Sequence, residues 1–94
     1  MTVYVDPAIW PYGRMMMCHM TADSLGELHD MASALGIARR WFQCPPKASM
    51  PHYDICKSKR ALAIELGARE VTRRGGVFAA RQLLAEWREL EGAR

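Results

Sequence analysis

Apolar and polar positions alternate along this chain in short, punctuated blocks. Thr2-Val3-Tyr4-Val5-Asp6 is β-branched and aromatic and is halted by Pro7, which predicts a short first strand. Pro11-Tyr12-Gly13 reads as a turn. Met15-Met16-Met17-Cys18-His19-Met20 is a soft apolar run of the length of a buried strand or an extended packing segment. Ser24 and Glu27 have capping-box spacing, with Asp23 adding negative charge at the helix start. Leu25, Leu28, Met31, Ala32 and Leu35 then form one helical stripe that Gly36 ends.

Ile37-Ala38-Arg39-Arg40-Trp41-Phe42-Gln43 follows as a predicted strand. Pro45, Pro46 and Pro51 make residues 44–51 a connector. His52-Tyr53-Asp54 leads into a second helix over about residues 55–66, closed by Gly67, and 68–72 is expected to be a short edge strand. Arg73-Arg74-Gly75-Gly76 breaks the chain before a last helix over 77–91. There Ala80, Leu83, Leu84, Trp87 and Leu90 share a stripe, and residues 92–94 are expected to fray.

Helices lying between strands predict an α/β fold: a small three-layer or two-layer sandwich with a short, mostly parallel sheet and three helices. An α+β arrangement is the alternative. Residues 1–74 would form the compact domain, and the amphipathic helix from 75 to 94 would pack on it or on a partner subunit. With 94 residues the chain forms one domain and buries one modest core, so a site should be a shallow cleft or lie between subunits. Half the residues are apolar and 24% are charged, which excludes disorder as the overall state. No run approaches the roughly 18 apolar residues of a membrane span, and no charged-then-apolar leader opens the chain. A soluble, cytoplasmic protein is expected.

The net charge of +3 is mild, but its distribution is uneven. Between Arg39 and Arg74 stand nine basic and three acidic residues, so this stretch carries +6 and the remainder −3. On one face such residues attract phosphates; spread out, they are a solvated rim. Cys18, Cys44 and Cys56 form an odd set without C-x2-C spacing, and read as small apolar residues rather than a zinc knuckle or a disulfide framework.

Three polar clusters fall at predicted strand ends: Asp6; His19 with Thr21 and Asp23; and His52-Tyr53-Asp54. Ligands of open α/β sheets bind at such ends. Should the strands be neighbours, Asp6, His19, Asp23, His52 and Asp54 could hold a divalent metal, which would polarise a phosphate or activate a water. Without metal, His19, His52 and Asp54 could serve as acid and base. Arg14, Arg39, Arg40, Lys57, Lys59 and Arg60, with Tyr53, are the candidates for holding the phosphate. Each of the ligand candidates also has an ordinary reading. Asp6 suits a strand-ending turn, Asp23 and Asp54 suit helix caps, and His19 suits a hydrogen-bonded core position. Trp41-Phe42 beside Arg39-Arg40 could stack a base, or could be split between core and interface. P-loop, G-x-G-x-x-G and G-x-S-x-G motifs do not occur, which removes support for those nucleotide and hydrolase chemistries.

Val3-Tyr4-Val5-Asp6, Cys18-His19-Met20-x-Ala22-Asp23, Leu28-His29, Arg39-Arg40-Trp41-Phe42, Pro51-His52-Tyr53-Asp54-Ile55 and Ser58-Lys59-Arg60-Ala61-Leu62-Ala63 with Leu66-Gly67-Ala68 together resemble a small domain-of-unknown-function family of bacteria and phages, over about residues 2–72. The resemblance implies a compact stand-alone α/β domain whose polar signatures match Asp6, His19, Asp23, His52, Tyr53 and Asp54. It implies no reaction. Beyond Gly75 the chain reads as an individual extension.

Two function classes follow. One is a phosphate-directed domain acting on a nucleotide or nucleic acid, with or without a metal. The other is a non-catalytic interaction module that uses its basic face or the 77–91 helix, the latter also suited to a homodimer. The first requires the His19, His52 and Asp54 side chains within about 5 Å of one another, given metal–ligand bonds of about 2.0–2.2 Å.

Overall fold

The structure, a computed structural model, describes residues 2–92. Its elements are β1 (Val3–Val5), β2 (Trp10–Tyr12), β3 (Met15–Ala22), α1 (Leu25–Ala34), a single 3₁₀ turn (Arg39–Trp41), β4 (Tyr53–Cys56), α2 (Lys57–Glu65), β5 (Arg69–Glu70) and α3 (Arg73–Gly92). Of the fraying expected at the C-terminus, Ala93 and Arg94 lie outside the described residues.

The α/β class holds, but the sheet is mixed rather than mostly parallel. β3 runs antiparallel to β1, β2 and β4, and the parallel pairing is between β1 and β5. The reason is local. Gly13, at φ 61°, turns the chain between β2 and β3, so residues 3–22 fold back as a hairpin instead of crossing over through a helix. That hairpin is irregular. Between the pairs Val5↔Met20 and Trp10↔Met17, the four residues Asp6-Pro7-Ala8-Ile9 oppose the two residues Cys18 and His19. Pro7 has no N–H to give to a ladder, and the extra residues bulge.

β4 runs along the other edge of β3, so Met17 and Met20 have partners on both sides. Strand alternation then sorts the side chains. Val3, Val5, Cys18, Met20, Ala22, Tyr53 and Ile55 share one face and join Leu25, Leu28, Ala32 and Leu35 of α1 and Ala63 of α2 in the core. Trp10, Met17, His19, Thr21, Asp54 and Cys56 share the other.

The helix boundaries have identifiable causes. Ser24 Oγ accepts the Glu27 amide and donates to Glu27 Oε1. At the far end Gly36 (φ 77°) donates to Ser33 and Ile37 to Ala32, a Schellman motif. Gly67 (φ 109°) donates to Ile64 and Ala68 to Ala63, so α2 ends in the same way. α2 itself starts at Lys57, two residues later than predicted, because Ile55 and Cys56 finish β4.

The strand expected at 37–43 is absent. Residues 39–41 form the 3₁₀ turn, and Gln43 alone makes a bridge, to His52. The break expected at Gly75-Gly76 falls inside the first turn of α3. A Cβ on Gly75 would stand 3.3 Å from both Val71 Cβ and Thr72 Oγ1, so glycine lets the helix start hard against β5's exit. Ala79, Ala80, Leu83 and Leu84 of α3 are buried, whereas Leu90, assigned to the stripe, is 54% exposed. No described helix is long and apolar enough to cross a membrane.

Candidate metal centre

The hairpin and β4 bring three ligand-type atoms together. His19 and Asp54 are directly opposed across β3 and β4, and His52 stands at the mouth of β4, held by its bridge to Gln43. One imidazole nitrogen from each histidine and one oxygen of Asp54 lie within 4.8 Å of one another. His52 Nε2 is 3.2 Å and His19 Nε2 is 3.9 Å from Asp54 Oδ1.

The remaining polar atoms of these three side chains are held by neighbours. His19 Nδ1 is 2.8 Å from Asp6 Oδ2, and the His19 amide donates to Asp6 Oδ1 at 2.6 Å. His52 Nδ1 is 2.8 Å from the Met50 carbonyl, which can only accept. Both Nδ1 atoms therefore carry hydrogen, and in the neutral rings both Nε2 atoms present lone pairs toward Asp54. Gln43 Nε2 donates to Asp54 Oδ2 at 2.5 Å. Asp54 Oδ1 is buried and has no hydrogen-bond donor among the described residues. Its near neighbour is His52 Nε2, 3.2 Å away, an ion-pair partner when that imidazole is protonated. With both imidazoles neutral, a buried carboxylate oxygen facing two imidazole lone pairs is what a cation would satisfy.

The electrostatics of the pair agree. Burial alone would push His52 down, but Asp54 and the Met50 carbonyl outweigh it and hold the imidazole above its ordinary value. Burial would raise Asp54, but His52, Gln43 and His19 outweigh it and hold the carboxyl below its ordinary range. Without a cation the two stabilise each other as an ion pair; with one, His52 must give up its proton.

Asp6 is 5% exposed and sits in the bulge, where its carbonyl accepts Arg60 Nε at 2.7 Å. It is a support for His19 rather than a member of the three-atom cluster. Asp23 does not join the cluster either. It lies four residues beyond His19, about 13 Å along extended chain, and accepts the Tyr4 hydroxyl at 2.8 Å.

The phosphate candidates scatter. Tyr53 points into the core, and its hydroxyl is 2.8 Å from His29 Nδ1. Lys59 donates to the Leu35 carbonyl at the end of α1, and Arg60 ties Asp6 to Glu70. Arg14 is exposed in the β2–β3 turn, Lys57 is exposed at the start of α2, and Arg39 and Arg40 are exposed on the 3₁₀ turn, with Arg40 stacked 5.5 Å from the Trp41 ring.

A cation that the phosphate candidates did not include, Arg73, stands beside the cluster at the start of α3. It lines a cavity of about 170 Å³ together with Asp6, His19, Thr21, His52 and Gly76. A second cavity of about 430 Å³ has Asp54 in its wall. Sequence reasoning passed over Gln43, the Met50 carbonyl, Trp10 and Arg73 as site residues. Of these, only Arg73 had a signal, its place in the basic stretch.

A small mixed α/β domain with two histidines and an aspartate clustered beside its central strand is thus the class of molecule that fold and geometry define. The chain belongs to the family described as Protein of unknown function (DUF4031), whose sequence model matches residues 3–83, so the match runs into α3. No curated protein and no solved structure matches the chain.

Proposed function

We propose that this chain is a divalent-metal domain acting on a phosphate-containing ligand. His19 Nε2, His52 Nε2 and Asp54 Oδ1 are the metal ligands, a two-histidine, one-carboxylate set that suits zinc, manganese or iron(II). Asp6, the Met50 carbonyl and Gln43 orient them. Three protein ligands leave coordination positions open for water or a phosphate oxygen. A metal there would lower the pKa of its water and polarise the phosphorus centre. Arg73, across the smaller cavity, is placed to pair with phosphate charge.

The observation that carries this reading is the convergence of one nitrogen from each histidine with Asp54 Oδ1, all within 4.8 Å of one another. The interaction-module reading needs these side chains to point apart, with Arg39, Arg40 and Lys59 in one open patch. The convergence, and the engagement of Lys59 with Leu35, favour the metal reading.

Calorimetric titration of the metal-stripped protein with zinc and with manganese tests it. One ion per chain is expected for at least one of the two metals, with binding lost in Asp54→Ala and His52→Ala. The metal-loaded protein should hydrolyse p-nitrophenyl phosphate or its diester, and Arg73→Ala should raise KM. Binding unchanged in both ligand variants would remove the proposal.

A further inference from the structure

Resting on the metal reading, we infer that the ligand is a nucleoside monophosphate unit: the phosphate takes the metal side and the base enters the larger cavity. Asp54 stands in the wall of the 430 Å³ cavity, while His19 and His52 stand in the wall of the 170 Å³ one. The ligand set therefore stands between two spaces. The smaller contains Arg73 and polar side chains. The larger is walled chiefly by Trp10, Tyr12 and Trp41, with Met17 and Ile55, and Lys59 and Gln43 also reach it.

Its size falls in the range of small-molecule sites, and its apolar and aromatic walls suit a planar ring. Trp41 is 59% exposed, although it lines the cavity, and Arg40 rests 5.5 Å from its ring. Met17 supplies a soft, adaptable surface. Trp10 links the two spaces: it lines the larger cavity, and its ring lies 5.6 Å from that of His19. Trp10 thus joins the wall of the aromatic cavity to the ligand cluster, and the sugar of a nucleotide would bridge the two. A bare phosphate would use one of the two spaces and leave the other empty.

The test compares affinities for the zinc- or manganese-loaded chain by calorimetry. The probes are adenosine 5′-monophosphate, ribose 5-phosphate, inorganic phosphate and a short single-stranded oligoadenylate. Adenosine monophosphate should bind about tenfold or more tighter than ribose 5-phosphate, the contribution of one stacked base. Trp41→Ala should erase that difference while leaving metal and ribose 5-phosphate binding unchanged. A tighter oligoadenylate would assign the unit to a strand, and a tighter mononucleotide to a free nucleotide; both support a base subsite. Equal affinity for adenosine monophosphate and ribose 5-phosphate, or no binding of either to metal-loaded protein, overturns it. Failure of metal binding removes the metal reading instead. In that event adenosine alone, titrated against wild type and Trp41→Ala, decides the subsite: binding lost in the variant supports it, and no binding to wild type ends it.

Discussion

His19 and Asp54 sit directly opposite one another on β3 and β4, and the gap between His19 Nε2 and Asp54 Oδ1 is 3.9 Å. That gap is too long for a hydrogen bond, yet short enough for both atoms to reach one ion. Because paired strands fix the two Cα positions, the spacing is a property of the sheet rather than of loop conformation.

Asp6 does not reach the ion position, so its effect should pass through His19. Asp6→Asn keeps the shape but removes the charge that holds the His19 ring. Zinc affinity is expected to fall about 10–100-fold, the usual cost of losing an orienting partner. Titration of zinc against a competing chelator measures this. An unchanged affinity would show that His19 is oriented by something else.

His29 makes stability depend on pH. Its ring is packed between Tyr53 and Phe42, faces Arg39 and Asp30, and is held below its ordinary value of 6.5 by burial first and by Arg39 second. The folded state thus binds the proton less well than the unfolded chain. The stability His29 contributes is present above pH 6.5 and is lost as pH falls through and below that value. Melting temperatures of wild type and His29→Gln between pH 7.5 and 5 should therefore converge as pH falls. Because the folded His52 value is raised, its contribution in metal-free protein has the opposite sign: it is full below pH 6.5 and lost as pH rises past its folded value. Only the difference between wild type and variant isolates His29.

The cysteines should react in a fixed order. Burial pushes Cys18 up to about 12, whereas the Ser58 hydroxyl 3.2 Å from Cys56 Sγ, with backbone amides at the start of α2, lowers Cys56. Limited iodoacetamide treatment followed by peptide mass spectrometry should find Cys56 modified first and Cys18 modified only after denaturation. Early labelling of Cys18 would contradict the core described for β3.

Leu83 is fully buried in the core, and Leu90, two turns further on, is 54% exposed. Leu83→Ala should cost about 2–5 kcal/mol in urea unfolding. Leu90→Ala should stay within about 0.5 kcal/mol of wild type. Equal, small effects would mean that α3 does not pack on the sheet in solution.

Much of the helical structure was legible because its signals are local. Ser24 with Glu27 and the glycines at 36 and 67 are caps that act within a few residues, and α1 and α2 end where those glycines stand. The strand order was not legible. Pro11-Tyr12-Gly13 reads as a turn, yet Trp10–Tyr12 pairs with β3 at a sheet edge, where the missing N–H of Pro11 is tolerated. Ile37–Gln43 has the residues of a strand, but two Schellman bonds deliver the chain into a 3₁₀ turn, and only Gln43 beyond it pairs, with His52. Within the site, Asp6, His19, His52 and Asp54 could be named from their residue types. Gln43 and the Met50 carbonyl could not, since their roles exist only once β4 lies beside β3. Lys59 and Arg60 looked like free cations because nothing in the sequence shows that Leu35 and Asp6 carbonyls lie within their reach.

Met17 and Met20 bracket His19 on a strand with neighbours along both edges. Backbone of that kind is the last to exchange its amide hydrogens, while termini and connecting segments open first. Binding groups more often stand on loops. Here the histidine amide, bonded into Asp6, would stay protected while α3 or the proline connector opened. Partial unfolding would then strip away the walls of the cleft before it disturbed the pairing at its base.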